Sequence, residues 1–186
     1  AGLNQSKKVF KGLYYPRADV EPDLRSWPGG SFPLIAVASP AGGGKTNLLC
    51  HMAEEWAAAG HTVLLLRCSH LESADLMTVL RSQLRLDPDL DAQTLFDKSR
   101  PGEGRWILVL DGINEHAQRQ DLLMSAVQLC KTLDSNDSLR IVVSLRSEDT
   151  DWVQVEAVDH DTLFYRPEAE GKKDPEGMVE AGMPPS

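Results

Sequence analysis

The chain has 186 residues, a length that fits one domain with a buried core. Hydrophobic residues make up 41% and charged residues 25%, which is typical of a globular protein and excludes a chain that is disordered throughout. The formal net charge of −9 disfavours nucleic-acid binding through clustered lysine and arginine, so we expect no nucleic-acid partner.

Features of membrane proteins, of secreted proteins and of Cys/His metal sites are missing from the sequence. No run approaches the roughly 18 to 20 apolar residues that a membrane-spanning helix needs, and residues 1–12 hold no apolar signal-peptide core. We therefore expect no membrane span and a cytoplasmic location. Cys50, Cys68 and Cys130 lie far apart in apolar runs, which predicts reduced thiols in the core.

The first part of the chain predicts an irregular lead-in followed by a strand and a helix. Prolines and a Gly-Gly pair interrupt residues 1–31, where only a short helix over 20–27 is expected. The apolar run 33–38 predicts a buried strand. Apolar residues at helical spacing from Lys45 onwards then predict a helix that ends at Gly60.

The remaining chain continues this alternation. Further strands are predicted at 62–66, 106–110, 139–145 and 162–165. Helices are predicted after Ser73, which we expect to be an N-cap, near 93–96, and over 122–133. The pattern predicts an α/β fold of three layers, in which a parallel sheet of about five strands carries helices on both faces. We assign residues 32–165 to this core and expect residues 166–186, rich in Pro, Gly and charge, to lack a fixed fold.

A glycine-rich loop follows the first predicted strand and reads Ser-Pro-Ala-Gly-Gly-Gly-Lys-Thr over residues 39–46. It matches the Walker A pattern of P-loop proteins, with Ser39 at the first glycine position. Backbone amides of such a loop surround phosphate oxygens, and the following helix N-terminus adds partial positive charge. Lys45 suits the β- and γ-phosphates, and the Thr46 hydroxyl suits magnesium. The predicted nucleotide contacts here are Ala41, Gly42, Gly43, Gly44, Lys45, Thr46 and Asn47.

Two acidic residues follow the strand 106–110. Asp111 stands at the strand end, where a Walker B carboxylate helps to hold magnesium, so Thr46 and Asp111 form the predicted metal site. Glu115 has two interpretations. It can orient or deprotonate the water that attacks the γ-phosphate, or it can be an acid that the positive end of the next helix stabilises.

Arg146 ends the strand that begins at residue 139, with Ser144 just before it. Both side chains are candidates to reach the γ-phosphate, and a guanidinium suits charge that develops on a phosphoryl group. The alternative for Arg146 is a surface ion pair with Glu148 or Asp149. The predicted catalytic residues are therefore Lys45, Glu115 and Arg146.

The segments 39–46, 106–115 and 140–147, in this order, resemble the STAND class of signalling NTPases, which includes the NACHT group and is related to AAA-type ATPases. In that class the second motif commonly reads Asp-Gly-apolar-Asp-Glu, and Asn114 here replaces the second aspartate. Residues 14–19 resemble the Arg-containing motif that precedes the first strand, which implies that Pro16 and Arg17 contact the nucleotide. The resemblance covers residues 14–165.

This resemblance implies an ATPase that binds ATP or ADP with Mg²⁺, hydrolyses ATP slowly and acts as a signalling switch within a larger multidomain protein. Its partners would be other domains of that protein or copies of itself. One alternative is a degenerate module that binds nucleotide, or nothing, and serves as an assembly surface. Another is a small-molecule or nucleotide kinase, although no Arg-rich insertion stands between the two Walker motifs.

Overall fold

Strands and helices alternate along the chain, as the apolar pattern predicts. The computed structural model describes residue 14, residues 16–98, 104–133 and 138–150, and the backbone of two further strands. The strands are β1 Leu34–Ser39, β2 Thr62–Arg67, β3 Trp106–Asp111, β4 Leu139–Arg146, β5 Thr162–Tyr165 and β6 Met178–Glu180. The helices are α1 Glu21–Ser26, α2 Lys45–Ala58, α3 Leu76–Leu84, α4 Ala92–Lys98 and α5 Arg119–Thr132.

The described strands form one six-stranded sheet in the order β2-β3-β4-β1-β5-β6. Strands β2, β3, β4, β1 and β5 pair in parallel, which confirms the predicted α/β fold. Strand β6 pairs antiparallel with β5 and was not predicted. It lies within residues 166–186, for which the composition predicts no fixed fold, and the other residues of that stretch lie outside the described part.

The strand order places the end of β1 beside the ends of its neighbours. β1 lies between β4 and β5, so the chain that leaves β1 through α2 passes β4 and β3 before it enters β2. In open parallel sheets the loops at the carboxyl ends of the strands form the usual ligand crevice. The loop after β1, the end of β3 and the end of β4 therefore share one edge.

Two apolar cores cover the two faces of the sheet. One face, which we call the α2 face, packs on α1 and α2 through buried residues such as Val37, Val109 and Trp56. The other, the α5 face, packs on α3, α4 and α5 through residues such as Phe96 and Leu122. Side chains alternate between the faces along each strand, as strand geometry requires.

The lead-in helix α1 belongs to the core of the α2 face. Val20, Leu24 and Trp27 are buried there. The indole nitrogen of Trp56 donates to the Leu24 carbonyl oxygen at 3.0 Å, and the ring of Trp27 meets that of Trp56 edge-on, with centroids 5.6 Å apart. Apolar burial and the hydrogen bond of the Trp56 indole thus hold α1 against α2.

Helix α3 begins at a different cap from the one predicted. The carboxylate of Asp75, not the hydroxyl of Ser73, caps it by accepting from the Met77 amide at 3.1 Å. Ser73 instead accepts from the Asp75 amide at 3.1 Å, in the turn before the helix. Both residue types are favoured caps, so the sequence alone did not separate them.

Two further expectations concern cysteines and membranes. Cys50, Cys68 and Cys130 are buried and free, as predicted. Among the described helices, none combines the length and apolar character needed to cross a bilayer.

Candidate nucleotide site

Polar residues collect where the strands end on the α2 face. In the middle of each of these strands, alternate residues are apolar and pack towards α1 and α2, namely Ile35 and Val37 on β1, Val63 and Leu65 on β2, Ile107 and Val109 on β3, and Val142 on β4. At the carboxyl edge of the sheet the alternating series continues with Ser39 on β1, Arg67 on β2, Asp111 on β3, and Ser144 and Arg146 on β4. Because the strands are parallel, these side chains surround the N-terminus of α2.

The Walker A loop (residues 39–46) makes a tight turn that needs glycine. Gly42 and Gly44 have φ angles of 78° and 72°, in the left-handed region that residues with a Cβ rarely adopt. A Cβ at Gly43 would lie 2.5 Å from the Ser39 hydroxyl oxygen, and one at Gly44 would lie 2.6 Å from an Arg17 nitrogen. Helix α2 begins directly after Gly44, so its free amides face the cleft.

Ser39 fits the position where the Walker A pattern has glycine. Among the described non-glycine residues, Arg85 alone has a positive φ, so the backbone at Ser39 carries no left-handed strain. The Lys45 ammonium donates to the carbonyl oxygen of Ser39 at 2.7 Å, to its hydroxyl oxygen at 3.2 Å and to the carbonyl oxygen of Pro40 at 3.1 Å. Ser39 thus adds a side-chain partner for the lysine without distorting the turn.

Burial holds the pKa of the Lys45 ammonium below its ordinary value, while the nearby carboxylates of Asp111 and Glu148 act in the opposite direction. A partly desolvated cation gains more from an added anion than one surrounded by water. The loop therefore presents Lys45 in a setting that favours a phosphate.

A hydrogen-bonded row joins the Walker A loop to the ends of β3 and β4. The Thr46 hydroxyl donates to one carboxylate oxygen of Asp111 at 2.9 Å, and the Ser144 hydroxyl donates to the other at 2.8 Å. Ser144 also accepts from the Gly112 amide at 2.8 Å. Asp111 and Ser144 are both buried, so the carboxylate is held in one orientation at the base of the cleft.

Ser144 lines the cleft, and its contact with the γ-phosphate stays a prediction, but its hydrogen bonds show a further role. Its hydroxyl proton is donated to Asp111, and its oxygen accepts from Gly112, so its contacts are with the Walker B strand. Ser144 is a positioning residue for the carboxylate.

A cleft of about 380 Å³ lies over these residues, within the range of volumes typical of ligand pockets. Most of the predicted site residues line it, namely Ala41, Gly42, Gly43, Gly44, Lys45, Thr46, Asn47, Asp111, Glu115, Ser144 and Arg146. Three others line it that were not predicted as ligands, namely Arg67, Gly112 and Asn114. The structure thus brings the three sequence motifs into one concave surface.

Arg17 lies beside the loop and does not line the cleft. Its guanidinium donates to the Gly43 carbonyl oxygen. The Arg17 amide donates to Glu21 at 2.6 Å, and Tyr14 donates to the same carboxylate oxygen at 2.6 Å. Burial acts to raise the pKa of Glu21, but these hydrogen bonds outweigh it and hold the pKa below its ordinary value. The lead-in segment therefore braces the Walker A loop through Arg17.

Glu115 ends a short 3₁₀ turn, Ile113–Glu115, that follows Gly112. Gly112 has a φ of 73°, and a Cβ there would lie 3.2 Å from the Glu115 carboxyl carbon. The Glu115 side chain therefore folds back over the end of β3, towards the cleft. Helix α5 begins only at Arg119, so Glu115 is not in its first turn. This position favours the interpretation in which Glu115 faces the ligand.

Arg146 is exposed at the cleft, directly opposite Ser39 in the register of β4 and β1. Of its two suggested ion-pair partners, Asp149 lies 3.7 Å from a guanidinium nitrogen of Arg119 on α5. Glu148 accepts from the Ser147 hydroxyl at 3.4 Å. Arg146 thus extends from the sheet edge beside the Walker A loop.

Arg67 was not predicted as a site residue, because the strand predicted from the apolar run 62–66 stops one residue before it. The sequence nevertheless contains a pattern that identifies Arg67 as a site residue. Arg67 follows Val63 and Leu65 at alternate positions, and it is the polar end of that series in the same way as Asp111 on β3. Strand parity, once the face that packs on α2 is known, identifies it as a cleft residue.

The residues fit a magnesium nucleotide. The glycine-rich turn, the N-terminal amides of α2 and Lys45 suit a polyphosphate. Among the described residues no group of three or more His, Cys, Asp or Glu could hold a metal ion by itself. Thr46 and Asp111 would therefore hold Mg²⁺ together with phosphate oxygens and water, which is the usual mode for this ion.

Comparison with known proteins identifies the fold. No known family profile matches the sequence. No curated protein sequence matches it either. Cdc6p from Pyrobaculum aerophilum has a similar structure, with a TM-score of 0.54, 17% identity, and coverage of 77% of this chain and 42% of that one.

Two other solved structures have the same fold. The replication initiator DnaA, bound to AMPPCP and single-stranded DNA, has a TM-score of 0.53 and 14% identity, and the match covers 81% of this chain and 44% of that one. Drosophila ORC bound to poly(dA/dT) DNA and Cdc6 has a TM-score of 0.51 and 11% identity, with 80% and 28% covered. The chain thus spans less than half the length of these three protein chains, and it shares their α/β fold.

Proposed function

We propose that this domain binds a nucleoside triphosphate, ATP, together with Mg²⁺. The observation that carries the proposal is the row Thr46–Asp111–Ser144, which lies at the base of the cleft beside Lys45. A hydroxyl at the helix start and a strand-end carboxylate, 2.9 Å apart, are the pair that a magnesium ion on a phosphate chain requires. The bound ion would supply charge neutralisation on the β- and γ-phosphates.

We further propose that the domain hydrolyses ATP slowly. Glu115 faces the cleft beyond Asp111 and would orient or deprotonate the attacking water. Arg146 would stabilise the charge that develops on the γ-phosphate, since its guanidinium is exposed at the same cleft. Lys45 would bridge the β- and γ-phosphates.

The role that fits these residues is a nucleotide-dependent switch of the STAND type, in which other domains or further copies of the chain respond to the bound nucleotide. Supporting this are the motifs 106–115 and 140–147, whose residues meet at one edge of the sheet. The absence of a nucleic-acid partner stays a prediction from the net charge of −9. The compared DnaA and ORC structures contain DNA, so this expectation merits its own binding assay.

One observation favours a second candidate, a module that binds nucleotide without hydrolysing it. Asn114 lines the cleft next to Glu115, at the position where the STAND motif has an acid. A neutral amide there removes one negative charge from the neighbourhood of the attacking water. Binding and hydrolysis therefore need separate measurements.

The test is a titration of the chain with ATP, ADP and GTP in the presence of Mg²⁺. We expect Lys45→Ala to weaken ATP binding by about 10- to 100-fold, because a hydrogen bond to a charged group contributes about 1.5–3 kcal/mol. Lys131→Ala is the matched control, since Lys131 lies on α5 on the other side of the sheet. A folded wild-type chain that binds none of these nucleotides would refute the proposal.

Single-turnover hydrolysis then separates the two candidates. If the domain is an ATPase, Glu115→Gln should lower the rate by about 100-fold or more while ATP still binds, as expected for loss of a general base. Equal, measurable rates in wild type and variant would remove Glu115 from catalysis. A wild type that binds ATP without hydrolysing it would leave the binding module.

A further inference from the structure

The cleft carries more positive than negative side chains, although the chain as a whole is acidic. Lys45, Arg67 and Arg146 line it together with Asp111 and Glu115, whereas the formal net charge of the chain is −9. An excess of positive charge in a concave surface favours a polyanion. Arg67 is the cation for which the proposed function gives no role.

The position of Arg67 is fixed by the sheet. It is the last residue of β2, stands opposite Asp111 in register, and is half-buried. Neighbouring strands are about 4.8 Å apart, so its backbone lies about 5 Å from that of Asp111 and roughly 14 Å from β1, with β3 and β4 between. Arg67 therefore enters the cleft from the side opposite the Walker A loop.

The electrostatics of α2 agree with this position. Burial, together with Asp111 and Glu54, raises the pKa of the Cys50 thiol to about 11, while Arg67 acts to lower it. Cys50 lies one helical turn after Thr46 on α2. The Arg67 charge therefore acts on the first turns of α2, in the same region as the Asp111 carboxylate.

We propose that Arg67 binds the terminal phosphate of the bound nucleotide and thereby favours the triphosphate over the diphosphate. This inference rests on the proposed function. The Walker A loop and Lys45 hold the phosphate chain from the β1 side, and Thr46 and Asp111 lie in the middle of the cleft. A cation that reaches in from β2 meets the end of the chain. The forked donors of a guanidinium suit two oxygens of one phosphate group.

The experiment measures dissociation constants of ATP and ADP, both with Mg²⁺, for wild type and Arg67→Gln. We expect the variant to bind ATP about 10- to 100-fold more weakly and ADP within about threefold of wild type, because a charge-assisted hydrogen bond is lost only from the triphosphate. Arg67→Lys keeps the positive charge but lacks the forked donors of the guanidinium, so it should give an intermediate loss of ATP affinity. Arg25→Gln is the matched control, because Arg25 lies on α1 and bonds to Glu55.

The outcomes separate this inference from the proposed function. If wild type binds ATP and Lys45→Ala does not, but Arg67→Gln weakens ATP and ADP equally or not at all, Arg67 does not contact the terminal phosphate. Equal weakening would instead indicate that Arg67 balances the charge of Asp111. If wild type binds neither nucleotide, both proposals fail. Thermal unfolding of each variant checks its folding, and Arg67→Lys still decides the question if Arg67→Gln does not fold.

Discussion

The two faces of the sheet use the same strands for different purposes. On the α5 face the strand residues stay apolar up to the carboxyl edge, ending with Ala38, Leu66, Leu110 and Leu145. On the α2 face the alternate residues become polar at that edge, where the cleft lies. A shift of one position along a strand thus separates core from site, because side chains alternate between faces.

This contrast shows how a small domain can hold a polar site and keep an apolar core. Helices α3, α4 and α5 cover one face of the sheet with apolar residues, and the polar strand ends of the other face do not enter that core. On the α2 face, helix α2 covers the middle of the strands and turns its N-terminus to the polar edge. Free amides of that terminus and the strand-end side chains then meet.

The largest change in the free energy of unfolding is expected from a substitution in the core of the α5 face. Phe96 on α4 is fully buried and meets the ring of Trp106 edge-on at 5.6 Å. Phe96→Ala should lower the free energy of unfolding by about 3–5 kcal/mol, because it removes apolar contacts and leaves a cavity. Urea unfolding measures this loss. In the absence of urea, the folded variant should bind nucleotide with a dissociation constant near the wild-type value.

Met124→Ala is the control for this change, since Met124 lies on α5 with 42% of its surface exposed. It should alter the free energy of unfolding by no more than about 0.5 kcal/mol. If Phe96→Ala abolished nucleotide binding in a folded protein, the two faces would not be separable as described.

A smaller loss of unfolding free energy is expected from a substitution in the Walker A loop, where Gly43 packs closely against Ser39. Gly43→Ala would place a Cβ 2.5 Å from the Ser39 hydroxyl oxygen and 3.0 Å from the Pro40 carbonyl oxygen. We expect it to weaken ATP binding while costing about 1–3 kcal/mol of unfolding free energy, the usual cost of overpacking. The double variant Ser39→Gly with Gly43→Ala should recover part of both losses, because only the Pro40 contact remains. A double-mutant cycle measures this coupling.

Gly29→Ala is the matched glycine control, since a Cβ there meets no atom within 4 Å. Strictly additive losses in the Gly43 and Ser39 variants would contradict the geometry of the turn.

Much of this fold could be predicted because its strands are short apolar runs bounded by glycine, proline and charge. β3 and β4 were predicted to within one residue, and the Walker A loop was identified by its glycines and Lys45. The meeting of Asp111 and Arg146 with this loop follows from parallel pairing, since each of them ends a parallel strand, and Glu115 follows four residues after Asp111.

The rest could not be predicted because it depends on contacts between distant segments. The packing of Trp56 on Leu24 makes α1 part of the core, although residues 1–31 predict an irregular lead-in. The bond from Ser144 to Asp111 joins residues 33 positions apart. No local pattern distinguishes a serine that positions a carboxylate from one that faces a ligand.

We propose that Asp111, which accepts hydrogen bonds from Thr46 and Ser144, carries the magnesium of a bound nucleotide. The most direct measurement is the ATP dissociation constant with Mg²⁺ and with EDTA, in wild type, in Asp111→Asn and in the control Asp121→Asn on α5. We predict that Mg²⁺ strengthens ATP binding to wild type and to the control by about tenfold or more, the scale of one charge-assisted contact, and leaves Asp111→Asn unchanged. An equal gain from Mg²⁺ in all three proteins would contradict the account.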